Sequence, residues 1–92
     1  MNKTKIALES LSMDLLRVAL GYHRGSILMA KRFTEEALKR KDEINVLEVK
    51  PYLAKILNKL PSVLLNEDKN RIAEDALMYS ILCKNYAKKF CQ

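Results

Sequence analysis

Two cysteines, a single histidine and adjacent acids such as Glu35-Glu36 and Glu74-Asp75 are the side chains in this 92-residue sequence most suited to covalent, metal or acid–base chemistry. Cys83 and Cys91 stand eight positions apart on one predicted helix, a separation of about 12 Å at 1.5 Å per residue, too far for a mutual disulfide. Cys83 also falls in an apolar stripe and reads as a small buried hydrophobe, because a reactive thiol needs exposure and positive surroundings. His23 is remote in sequence from both cysteines, and without a CxxC or HxxxH pair no half of a metal site is formed. Glu35-Glu36 and Glu74-Asp75 are neighbours that point in different directions on a helix, so they read as solvated surface. The sequence has no GxSxG, no glycine-rich phosphate loop and no ExxH pair on separate helices. The expectation is a protein that is not an enzyme, with no catalytic residue, metal, cofactor or small-molecule substrate.

One short constellation does resemble a known activity. In Arg17-Val18-Ala19-Leu20-Gly21-Tyr22-His23 an arginine is followed by a histidine after five residues, which resembles the Arg-x(4–6)-His motif of HEPN-type ribonucleases, a helical and often dimeric family. The resemblance implies that Arg17 would stabilise phosphate charge and that His23 would move a proton at a ribose 2′-hydroxyl. The sequence departs from the family pattern in placing the motif in its first helix and in having Val18 after the arginine. On a continuous helix the two side chains point about 120° apart, so a shared site requires a kink at Gly21 or a dimer axis.

Charge offers a second lead. The chain carries 17 Lys and Arg against 11 Asp and Glu, a formal charge of +6, an excess compatible with nucleic acid or another acidic partner. On a helical wheel Arg24, Lys31, Arg32 and Lys39 fall within about 100° and could track phosphates. Glu35 lies inside that ridge, and pairs such as Glu35 with Lys39 and Glu36 with Arg40 suit any solvated helix. The cluster Lys39-Arg40-Lys41 has its own structural reason, since cations favour the last turn of a helix.

These residues must be held by helices. Hydrophobic residues make up 49% of the chain and charged residues 30%, with two Gly, two Pro and no Trp, and β-branched residues never alternate over a strand length, so an all-α single domain spanning 1–92 is expected. The first helix starts near Asn2 or Thr4 with Leu8, Leu11, Leu15, Val18 or Ala19, and Tyr22 on its inner face. A hinge is expected at 21–25, where Gly21 and Gly25 bracket Tyr22-His23-Arg24, with one bent helix from 4 to 40 as the alternative. Ser26 should cap a second helix that buries Met29, Ala30, Phe33 and Ala37 and ends near Arg40. Across 42–50 Asn45 and Glu48 could form a capping box, while Pro51 suits a first helical turn. The third helix carries Leu53, Ile56, Leu57 and Leu60 and is expected to stop at Pro61. Asn66-Glu67-Asp68 then caps the longest helix, which reaches Phe90 with Ile72, Ala76, Tyr79, Cys83, Tyr86 and Phe90 within about 80° of one another. Tyr79 and Tyr86 should send their hydroxyls to the surface.

The same wheels leave apolar residues unplaced. Ala73, Leu77 and Ile81 lie opposite the main seam of the last helix, Ile27 and Leu38 away from that of the second, and Ile6, Met13 and Leu20 away from that of the first. Such residues need covering. The expected architecture is a small four-helix bundle with a long C-terminal helix, completed by dimerisation or by a protein partner at Ile27, Leu38, Ala73, Leu77 and Ile81. Its alternative is a last helix wrapped by the other three. No apolar run is long enough to span a membrane, and the charged N-terminus is unlike a signal peptide, so the expected location is the cytoplasm. The function expected is a non-enzymatic interaction or oligomerisation module, with a nucleic-acid-binding accessory protein and a HEPN-like ribonuclease as alternatives.

Overall fold

Helix-favouring composition yields helices nearly throughout. The computed structural model describes residues 3–90, with α1 at Lys3–His23, α2 at Ile27–Asp42, α3 at Pro51–Leu64, α4 at Lys69–Phe90, and one 3₁₀ turn at Val46–Glu48. No strand occurs among the described residues, and none of their helices is long and apolar enough to cross a membrane.

The two glycines do different work. Gly25 ends α1 at φ +75°; the Ser26 N–H donates to the Gly21 carbonyl at 2.8 Å and the Gly25 N–H to that of Tyr22 at 3.3 Å, the bonding of a Schellman cap. Gly21 does not end α1, which runs on through it to His23. It is instead where α1 and α2 touch, since a Cβ there would lie 2.9 Å from both Cβ and the backbone N of Ala30. Ser26 precedes α2 as expected, yet its side chain makes no cap bond; only its carbonyl accepts, from the Ala30 N–H at 3.0 Å.

Core formation follows the inner stripes. Leu8, Leu11, Leu15 and Val18 of α1 are completely buried, as are Ala30 and Ala37 of α2, Leu53, Leu57 and Leu60 of α3, and Ala76 and Cys83 of α4. α1 packs most extensively against α4 and α2, and smaller contacts from α3 to α4, α2 and the 3₁₀ turn close the bundle. The α1–α4 seam is pinned by a reciprocal pair: the Ser12 hydroxyl donates to the Ser80 carbonyl at 2.8 Å, and the Ser80 hydroxyl donates to the Ser12 carbonyl at 2.7 Å.

Several boundaries differ from expectation. α2 continues to Asp42 rather than Arg40. Asn45 caps the 3₁₀ turn by accepting from the Leu47 N–H at 3.0 Å, but Glu48 does not reach back to complete a box and accepts from the Thr4 hydroxyl at 3.1 Å. α3 starts with Pro51 and passes through Pro61 to Leu64. Leu60 and Leu64 share one face at i, i+4 and are 0% and 2% exposed, and burying a leucine is worth about 1.5–3 kcal/mol, enough to offset much of the proline penalty. Asp68 caps α4 by accepting from the Asn70 and Arg71 N–H groups at 3.0 and 3.3 Å. The α4 stripe holds from Ile72 to Tyr86, and Phe90 emerges from it at 41% exposure. Tyr86 turns its hydroxyl inward, where it accepts from the Lys50 N–H at 3.0 Å.

Candidate interaction surface

The outer side of the α1–α4 seam is a groove of about 270 Å³. Helical spacing brings Met13 and Leu16 of α1 opposite Leu77 and Ile81 of α4; the bonded Ser12–Ser80 pair sits at its base and Glu9 and Lys84 lie toward one end. Met13, Leu77 and Ile81 are 48%, 40% and 51% exposed, and Met78 beside them 47%. α4 is therefore not wrapped by the other three helices. Each of these side chains holds apolar area in water, and covering it is worth about 25 cal/mol per Å².

Of the five residues expected to form the apolar interface, the structure brings Leu77 and Ile81 together here. Ala73 drops out as a correction: it is 1% exposed, because it lies about 20° from Ser80 on the wheel, on the flank of α4 that α1 covers. Leu38 packs against the core and Ile27 is half-buried on α2, so neither belongs to the groove. Leu16 and the serine pair were not anticipated; their signal was the i, i+4 spacing of Ser12 and Leu16 opposite Leu77 and Ser80.

Lys31, Arg32 and Lys39 are exposed along α2, but Arg24, expected on the same ridge, lies in the turn between α1 and α2 and is exposed there instead. The ion pairs of α2 are shifted from the expected ones: Lys39 meets Glu36 at 4.0 Å, and Arg40 meets Glu43 at 3.3 Å and Asp14 at 4.0 Å. Asp14 is 7% exposed between Arg40 and Arg17, the latter at 3.5 Å. Burial pushes its carboxyl above the usual aspartate range despite the two guanidinium groups. It reads as a polar tie between α1 and α2.

Arg17 and His23 are not brought to one site. The uninterrupted helix keeps them about 120° apart in direction and about 9 Å apart along the axis. Arg17 is engaged by Asp14 and lies 5.2 Å from the Phe33 ring centroid. Cys83 is fully buried, and burial pushes its thiol up to about 12, which removes the thiolate a nucleophile needs; Cys91 lies outside the described residues. No group of three or more His, Cys, Asp or Glu that could hold a metal ion occurs among the described residues. No family model matches this sequence, and no curated protein or solved structure matches it.

Proposed function

We propose that this chain is a non-enzymatic interaction module that pairs with a second copy of itself through the outer face of α1 and α4. The observation that carries the reading is the half-exposed set Met13, Leu77, Met78 and Ile81 around an open apolar groove. A face of this kind is self-complementary under a two-fold axis, the commonest symmetry of soluble oligomers. Charge favours the antiparallel arrangement. Residues 67–75 contain Glu67, Asp68, Glu74 and Asp75 against Lys69 and Arg71, whereas 76–92 contain Lys84, Lys88 and Lys89 and no acid. Two α4 helices crossing near Tyr79 in opposite directions set the acidic end of each against the basic end of the other. A parallel pairing would set like against like.

Light scattering across a dilution series tests this. The mass should approach twice the 10.6 kDa of one chain and fall toward it on dilution. Leu77→Glu or Ile81→Glu should give a helical monomer at every concentration. A single-chain mass for the unmodified protein at high concentration would reject the pairing.

A further inference from the structure

A second surface lies on the opposite flank of α4. Segments 49–66 and 76–92 contain six lysines, Lys50, Lys55, Lys59, Lys84, Lys88 and Lys89, and no acid. The remaining eleven cations match the eleven acids, so the whole formal charge of +6 resides in these two segments. The short connection at 65–68 lays α3 and α4 side by side; of the six lysines, Lys84 and Lys88 line the α1 side of α4, and Lys50, Lys55, Lys59 and Lys89 belong to the α3–α4 edge.

Three aromatic rings mark where the two helices meet. Tyr52 packs edge-on against Tyr86 with centroids 5.8 Å apart, and Tyr86 lies 4.9 Å from Phe90. Tyr86 is buried and held by the Lys50 N–H, whereas Tyr52 and Phe90 are 49% and 41% exposed. The Nζ atoms of Lys50 and Lys89 stand 4.6 and 5.4 Å from the Phe90 centroid. Lys55 and Lys59 are exposed and fall within about 60° of Tyr52 on the α3 wheel. Among the described residues none of Lys50, Lys55, Lys59 and Lys89 forms an ion pair. On the α2 ridge, by contrast, Glu35 and Glu36 sit among the cations.

We infer that the α3–α4 edge binds single-stranded nucleic acid, with bases stacking on Tyr52 and Phe90 and phosphates running along Lys50, Lys55, Lys59 and Lys89. Lysines alone would suit any polyanion, but half-exposed rings anchored on a buried third ring favour unpaired bases, whose faces are free. A base that stacks on Phe90 displaces an ammonium from the ring face, and that ammonium stays within reach of the adjoining phosphate. The edge lies away from the α1–α4 groove, so the inference holds for monomer or dimer.

Fluorescence anisotropy with a labelled 12-nucleotide single strand, its duplex and polyglutamate tests the assignment on the intact chain. The single strand should bind most tightly, with affinity falling steeply between about 50 and 200 mM salt. Lys55→Gln with Lys59→Gln should reduce the salt slope by about 1.4, at about 0.7 per phosphate contact on single strands. Phe90→Ala, at the end of α4 and thus separable from folding by circular dichroism, should weaken the single strand by about fivefold or more and leave the slope unchanged. Absence of single-strand binding at 50 mM salt would overturn the inference. So would equal binding of polyglutamate, or of the duplex, with no effect of Phe90→Ala; either would make the edge a generic acidic-partner surface.

Discussion

At Gly21 a missing methyl sets how closely two helices approach. Alanine is favoured over glycine inside a helix by about 1 kcal/mol, so by local propensity Gly21→Ala should stabilise α1. The added Cβ would lie 2.9 Å from the Ala30 N and Cβ and 3.0 Å from its Cα. Two of those three atoms are backbone, so no rotamer change relieves the clash and α2 must move off α1. Overpacking of this kind costs about 1–3 kcal/mol, which exceeds the propensity gain at most of that range. The expected outcome is a net loss, read as a lower melting temperature with native helicity retained at 20 °C. A variant that melts higher than the parent would show that the α1–α2 contact is soft. The sequence shows two glycines near a turn and cannot say which one turns: Gly25 does, by its backbone conformation, whereas Gly21 stays helical and is set by contact with Ala30, nine positions on.

Among elements, α3 shows best where local signals and tertiary packing compete. Pro61 removes the N–H that would bond the Leu57 carbonyl and crowds it, a penalty of about 3 kcal/mol in a helix interior. The helix persists because Leu64, one turn beyond its i−4 partner Leu60, is sealed in the core. Pro61→Ala should therefore restore a hydrogen bond without disturbing packing and stabilise the protein by about 1–2 kcal/mol, since proline also restricts the unfolded chain and the full penalty is not recovered. Chemical denaturation should show a higher midpoint at an unchanged slope; a lower midpoint would mean that Pro61 terminates α3 in solution. Inner faces were legible because one period governs all four helices, and Leu8, Leu11, Leu15, Leu53, Leu57 and Cys83 are buried as their spacing requires. What the wheel misplaces lies on its flanks. Ala73 faces α1 only because of where α1 sits, and Phe90 emerges because the bundle ends beside it. Of the candidate surfaces, Leu77 and Ile81 could be read from one helix, whereas Met13 with Leu16, or Tyr52 with Phe90, meet only once α1 or α3 is laid against α4.

For the whole molecule, size makes pairing and stability one question. A chain of this length buries about 60–65% of its unfolded surface, which leaves little margin over conformational entropy. On α4, Leu77, Met78 and Ile81 are exposed side by side within about one helical turn. If pairing covers them, only the folded state pairs, and its stability must depend on concentration by mass action. Each tenfold rise in protein concentration adds about 1.4 kcal/mol per dimer, or about 0.7 kcal/mol per chain. For a domain of this size 1 kcal/mol moves the midpoint by about 4–8 °C, so a tenfold rise should lift the melting temperature by about 3–6 °C. Ile81→Glu places a carboxylate in the middle of the pairing face but at the solvent edge of the monomer. It should abolish the concentration dependence and melt near the dilute limit of the parent. A parent midpoint that stays fixed across a hundredfold range would separate the α1–α4 face from folding altogether and leave the acid-free α3–α4 edge as the surface on which the protein's function turns.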